Sequence, residues 1–308
     1  MFKAIKIINE DKVDMDAMIN EARALQKCKH KHIVEIYGAD TLDSTICISM
    51  KYLDKGTLQS KIDDSFLSAI DVWRYFIDIL FGLECIHHQG LLHRDIKPAN
   101  ILFDGNNVVI SDLGLCAEYN TSYISYLERS AYIAHFAPET FSDKRTSIRT
   151  DIYAVGMTMF RCVNNIKDFI QVLNDKEVTH KTLQRGKIID TIGFEEFCPT
   201  KLIKIIKKAC QRDPNKRYQS AEEMRNDLNK LRPNISWSKE NITTWNGHAY
   251  NNSKDVYKLE ITHKKRGYIW IVKKNTRQIG GSKEKFYQDF NELLVVANKY
   301  IADTSFII

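Results

Sequence analysis

The run His93-Arg94-Asp95-Ile96-Lys97-Pro98-Ala99-Asn100 is followed by Asp112-Leu113-Gly114 and then by Ala137-Pro138-Glu139. Each short group alone is a weak signal. Their order, with 11 residues separating Asn100 from Asp112, makes chance a poor explanation. Phosphoryl transfer needs an acceptor for the attacking hydroxyl's proton, oxygen ligands for Mg²⁺ and a cation on the phosphates. Asp95 suits the first role, Asn100 and Asp112 the second, and Lys97, two residues from Asp95, the third.

These side chains need elements to hold them. From Ala69 to His88 the apolar positions Val72, Phe76, Ile79, Leu80, Leu83 and Ile86 follow a 3.6-residue period, so a long helix ending at Gly90 is expected just before the run. Ile101–Phe103 and Val108–Ile110 flank Asp104-Gly105-Asn106-Asn107, a hairpin signal that puts Asp112 after a turn. Further helices are expected over 151–162, 202–210 and 221–231, the last stopped by Pro233. Upstream, Phe2–Ile8 reads as a strand with Ala4, Lys6 and Ile8 on one face. A helix is expected over 15–29, and strands over 33–37 and 45–52 with a turn at 40–44.

The motif set resembles that of the eukaryotic-type protein kinases over residues 1 to about 232. The resemblance implies an α+β bilobal fold, with an N-lobe over 1–50, a hinge at 51–53 and a C-lobe over 54–232. It implies ATP and Mg²⁺ as cofactors and a protein substrate. Carried over by position, Lys6 is the strand lysine that holds the phosphates and Glu21 its ion-pair partner. Ala4 faces the adenine, Met50 is the gatekeeper, and Tyr52 and Leu53 belong to the hinge. Leu25, Ile36, His93 and Leu113 form the hydrophobic spine. Asp151 resembles the buried helix aspartate that holds the catalytic loop, and Arg217 the arginine that pairs with Glu139. Lys97 within Asp-Ile-Lys-Pro-Ala-Asn matches serine/threonine rather than tyrosine kinases. Lys208 to Leu228 looks most like bacterial members.

Two departures from that pattern stand out. Only five residues precede Lys6, and the first glycine is Gly38. A glycine-rich flap lets backbone N–H groups approach phosphates with no Cβ in the way, and the stretch before Lys6 cannot form one. The expectation is a shortened N-lobe, for which three explanations stay open: a start lying further upstream, missing strands supplied by another polypeptide, or a chain that binds nucleotide weakly or not at all. Without those strands the first strand has an open edge, expected to be covered by a partner chain or by the C-terminal strands. Gln278 to Lys283 is a remote candidate to mimic the flap. A pseudokinase, or a split-kinase subunit acting as a regulatory binding module, is the alternative function. Counting back from Ala137 puts Tyr132 where a threonine is usual. Arg94 beside Asp95 could pair a phosphate on the intervening segment, where Thr121, Ser122, Ser125 and Ser130 are the candidate phosphosites, so autophosphorylation is expected. Cys116 reads as an inert thiol.

Composition fits this picture. Of 308 residues, 44% are hydrophobic and 27% charged, a globular balance. No run of 18 apolar residues suggests a membrane span, and Met1 to Glu10 has no signal-peptide core. The seven cysteines include no CxxC pair, which fits a reducing cytoplasm. Lys and Arg against Asp and Glu number 33 to 32 up to Asn234 but 12 to 7 from Ile235 onward. That asymmetry suggests a second unit over 233–308. Strands at 257–262, 268–273 and 278–280 and a helix over 284–300 predict a small basic α+β domain there. Its aromatics Tyr257, Tyr268 and Trp270 lie among Lys264, Lys265, Arg266, Lys273, Lys274 and Arg277. Such interleaving can bind nucleic acid, but docking on the kinase or recruiting a protein is the favoured reading.

Overall fold

The computed structural model describes residues 2–9, 26, 28–42, 45–112, 117–118, 133–143, 146–282 and 285–307. The first three strands, β1 (Lys3–Asn9), β2 (Ile36–Leu42) and β3 (Thr45–Lys51), form an antiparallel sheet in the order β1-β3-β2. The register sets Lys6 opposite Ile48 and Ala4 opposite Met50. Ile33 and Val34 do not extend β2, contrary to the strand expected over 33–37. They turn downward and are buried against the second lobe, where Val34 N–H donates to Ile110 O (2.9 Å) and Ile110 N–H to His32 O (3.0 Å). A buried segment must satisfy its backbone groups somewhere, and here the other lobe supplies the partners.

The second lobe is built around two helices. Following the short α1 (Leu58–Asp64), α2 (Ala69–His88) starts at Ser68, whose side chain accepts from Asp71 N–H (3.0 Å). It buries the expected stripe of Val72, Phe76, Ile79, Leu80, Leu83 and Ile86 and stops at Gly90, which has φ +77°. Gly82 lets the segment at His32 cross this helix, because a Cβ there would sit 2.5 Å from His32 O. The hairpin β4 (Ile101–Asp104) and β5 (Asn107–Ile110) then delivers Asp112.

After α3 (Pro138–Asp143), α4 (Ile148–Val163) runs through the core with nearly every residue buried. The short helices α5 (Phe169–Asp175), α6 (His180–Gln184) and α7 (Ile188–Ile192) precede α8 (Thr200–Ala209) and α9 (Ala221–Asn229). Gly156 of α4 admits α8, since a Cβ would lie 2.6 Å from Cys210 Sγ.

Residues 235–307 form a five-stranded antiparallel meander and a helix. The strands are β6 (Ile235–Asn241), β7 (Thr244–Ala249), β8 (Asn252–Lys264), β9 (Gly267–Lys274) and β10 (Arg277–Gly281), in spatial order β10-β9-β8-β7-β6. The helix α10 (Phe290–Ser305) begins at its Asp289 cap, later than the predicted 284, and Tyr287 is bridged to Tyr268 instead. The first two strands were not anticipated. These strands form their own sheet, so the expectation that C-terminal strands cover the β1 edge is not met. Gly280 and Gly281 pair with Val272 and Ile271 at the end of β10, where Gly281 takes φ +126° and a Cβ would sit 2.3 Å from Trp270 O.

This unit packs on the second lobe, and the apolar core is continuous between them. Trp245 lies edge-on to Phe66 (centroids 5.2 Å) and against Phe197 (5.3 Å), Ser236 Oγ donates to Ser68 Oγ (2.9 Å), and Lys201 Nζ donates to Ile307 O (2.7 Å). Trp245→Ala is expected to cost about 3–5 kcal/mol, because it empties a site that is 1% exposed. A urea-unfolding midpoint unchanged by the substitution would show that the contact does not brace the chain.

Candidate active site

The predicted chemical residues converge where β3 leads into the second lobe and α2 ends. Asp151, in the first turn of α4, is fully buried and organises the His93–Asp95 loop. Its Oδ2 accepts from His93 N–H (2.9 Å) and His87 Nε2 (2.9 Å), and its Oδ1 accepts from Arg94 N–H (2.8 Å). Burial raises the Asp151 pKa, but these hydrogen bonds and the nearby His87 and His93 reverse that, leaving it below the ordinary carboxylate value. Arg94 holds a left-handed φ of +66° within this turn, a costly conformation for a side chain with a Cβ. His87 was not singled out in the sequence, where nothing local separates it from His88.

The His93 ring is buried and its tautomer is fixed by its neighbours. Nε2–H donates to Ser111 O (3.1 Å), and Nδ1 accepts from Asp95 N–H (3.2 Å). Burial lowers the His93 pKa although Asp151 and Asp95 oppose this. The ring therefore ties the loop carrying Asp95 to the strand end carrying Asp112.

Asp95 Oδ2 accepts from Lys97 Nζ (2.7 Å) and from Asn100 Nδ2 (2.8 Å), which also donates to Asp95 O (2.8 Å). With its amide nitrogen committed to Asp95, Asn100 turns Oδ1 the other way. Asp112 has φ +59°, and its carboxylate is bonded by Lys6 Nζ from the other lobe. Burial pushes the Asp112 pKa up, but Lys6, with help from His93 and Lys97, more than compensates, so the group is held below the ordinary value and stays ionised. An anionic carboxylate and a free amide oxygen are hard donors of the kind Mg²⁺ prefers, so the residues fit that ion.

The remaining predicted residues fall as follows. Glu139 and Arg217 form a bidentate pair (2.6 and 2.8 Å), and the buried guanidinium also donates to Gln211 O, Arg149 O and Arg212 O. Ala4 and Met50 are cross-strand partners, both partly buried. Tyr52 is 54% exposed and edge-on to Phe2 (centroids 6.5 Å), so its side chain points outward and only its backbone is placed for a hinge. Leu53 lines a cavity of about 240 Å³ with Val34, Ile36, Lys51, Asp104 and Val109, which none of Lys6, Asp95 and Asp112 lines. Lys51 Nζ reaches Asp104 Oδ2 (2.6 Å), an interlobe ion pair missed in the sequence because 53 residues separate the partners. Ile36 and His93 of the expected spine are buried. Glu21, Leu25, Leu113, Cys116, Thr121, Ser122, Ser125, Ser130 and Tyr132 lie outside the described residues.

In the C-terminal sheet several of the cations are already paired. Lys258 and Lys273 both contact Glu260 (2.8 and 3.3 Å), and Lys274 contacts Asp255 (2.9 Å). Among the described residues, no helix is long and apolar enough to cross a membrane.

The pKa directions give the molecule an acid limit. His135, buried behind the same loop, is held well below the ordinary histidine value, first by burial and then by Arg161. His93 and His135 thus stay neutral when folded, while the unfolded chain takes up protons as pH falls through about 6.5. Stability is therefore present above that pH and declines below it, by up to about 1.4 kcal/mol per pH unit for each ring. Asp151 and Asp112 add a further loss below about pH 4. Urea midpoints at pH 7.5, 6.5 and 5.5 test this, and equal values would contradict it.

A protein kinase domain model matches residues 1–228, and with this arrangement of lobes and side chains it places the chain in the protein kinase family. A probable serine/threonine-protein kinase of Clostridium perfringens is 30% identical over 251 residues, 77% of this chain and 36% of that protein. One from Streptomyces coelicolor is 29% identical over 217 residues, 68% of this chain and 32% of that protein. The human receptor-interacting serine/threonine-protein kinase 1 is 22% identical over 219 residues, 66% and 32% of the two chains. The chain spans about a third of the length of these curated relatives.

Proposed function

We propose that this protein transfers the γ-phosphoryl group of ATP to serine or threonine hydroxyls of proteins, itself included. The observation that carries the reading is the convergence of Asp95, Lys97 and Asn100 with the Lys6–Asp112 pair. Asp95 Oδ2 is occupied by Lys97 and Asn100, which leaves Oδ1 to orient the substrate hydroxyl and accept its proton. Lys97 sits where negative charge develops on the transferred group. Lys6 leaves Asp112 for the nucleotide phosphates as they arrive. Mg²⁺, held by Asn100 and Asp112, would neutralise charge between the phosphates. Little covalent chemistry falls to the protein, and the rate comes from position and charge.

A second reading has its own observation. β1 is an edge strand among the described residues, with Ile5 64% and Ile7 62% exposed. Such an edge invites further strands. A partner chain that completes the lobe would make the domain one half of a split kinase. For residues 235–307, the pairing of Lys258, Lys273 and Lys274 with acidic side chains supports protein docking over nucleic acid.

Both readings are tested by incubating the full chain with Mg²⁺ and γ-labelled ATP and mapping the label by mass spectrometry. Label on serine or threonine supports the kinase reading. A folded chain that transfers none alone, but does so once its native neighbouring polypeptides are added, supports the split one.

A further inference from the structure

We propose that His135 is a positioning residue that fixes the Ile96–Lys97 peptide, just after Asp95. The inference rests on the phosphotransfer reading of that loop. Asp151 secures the loop only at His93 and Arg94. The Ile96–Lys97 peptide, further along the loop, is held through its carbonyl by other residues. His135 Nδ1 lies 3.1 Å from Ile96 O, and Thr158 Oγ1 lies 3.2 Å from the same oxygen.

Proton bookkeeping distinguishes the two donors. A carbonyl only accepts, so His135 Nδ1 carries the hydrogen. The Thr158 hydroxyl has one hydrogen and is closer to Ala154 O, at 2.8 Å, than to Ile96 O. It therefore shares that hydrogen, while Ile96 O is the nearer acceptor for the imidazole N–H. Thr158 Oγ1 also lies 3.4 Å from His135 Nδ1, close enough to steady the ring.

The ring has little freedom to turn. His135 is buried, edge-on to Phe169 with centroids 5.8 Å apart. Arg161 also lies over the Phe169 ring, 4.8 Å from its centroid, and donates to Gln59 Oε1 at 2.7 Å. The clamp thus joins the short turn 133–135, α4, α5 and α1 to a single carbonyl in the catalytic loop. Rotation of that peptide would swing the Lys97 backbone and, with it, the ammonium now 2.7 Å from Asp95 Oδ2. A displacement of about 1 Å in a reacting constellation is enough to cost about 100-fold in rate.

The test uses the full chain with His135→Leu, which keeps bulk but has no donor, and His135→Asn, whose amide nitrogen can replace Nδ1. Three readouts are taken. Nitrogen-15 spectra of labelled histidine should show His135 protonated at Nδ1. Amide hydrogen exchange over 94–100 should rise in His135→Leu and return towards wild type in His135→Asn. The kcat for phosphoryl transfer should fall up to about 100-fold in His135→Leu with the KM for ATP unchanged, and recover in His135→Asn. An Nε2-protonated ring, or wild-type exchange in His135→Leu, would overturn the proposal. So would an equal loss of kcat in both variants that follows their loss of stability. Should the wild type transfer no phosphoryl group, the spectra and exchange still decide the clamp, and the failure belongs to the kinase reading instead.

Discussion

Asp95→Asn lowers kcat for phosphoryl transfer by about 10²- to 10⁴-fold, the range expected when a positioned proton acceptor is removed. The substitution preserves shape. Asparagine can still accept from Lys97 through its oxygen, so the loop keeps its fold and the melting temperature moves little. What disappears is the negative charge and the ability to take the hydroxyl proton. The KM for ATP stays close to wild type, because Asp95 bonds Lys97 and Asn100 and not Lys6 or Asp112. A steady-state comparison with wild type, run with melting curves on both, checks the prediction. Unchanged kcat would remove Asp95 from the chemistry.

Asp151→Asn destabilises the protein by about 3–5 kcal/mol and inactivates it as well. The carboxylate receives His93 N–H, Arg94 N–H and His87 Nε2 on two oxygens. An amide offers one oxygen and turns an NH₂ group towards the remaining donors, so a buried donor loses its acceptor. The Arg94 amide is the more sensitive, since that residue already holds φ +66°. Urea unfolding gives the stability, and the labelled-ATP assay gives the activity. A loss under about 1 kcal/mol would mean that solvent reaches the loop and satisfies these amides instead.

The sequence made the chemistry more legible than its support. Asp95, Asn100 and Asp112 stood out because their types suit phosphoryl transfer and their order resembles the kinase pattern, and the structure brings Asp95 and Asn100 into hydrogen-bond contact. The helix 69–88 could be read because its apolar stripe is long and strictly periodic. β6 and β7 escaped because Ile235, Trp237, Trp245 and Gly247 are their inward residues, too few for an alternation to show, and one is a glycine. That glycine is required by packing, as a Cβ there would meet the Trp237 ring at 2.7 Å.

The residues that hold the loop were hidden for a different reason. His135 and Thr158 meet Ile96 across 39 and 62 positions of sequence. Neither carries a local signal, since a buried histidine and a buried threonine look the same whether they fill space or orient a carbonyl. Tyr52 shows the converse. Its place in the hinge was inferred from position, and its side chain faces out against Phe2. Glu21, the expected partner of Lys6, lies outside the described residues, and Lys6 itself bonds Asp112.

The most direct measurement is the incubation of the full chain with Mg²⁺ and γ-labelled ATP beside Asp112→Asn, followed by mass-spectrometric mapping. The account predicts label on serine or threonine in the wild type and its loss in Asp112→Asn, whose amide would no longer offer the anionic ligand or the partner of Lys6. Label that persists undiminished in Asp112→Asn, or a folded wild type that transfers none even with its native partners present, would contradict it.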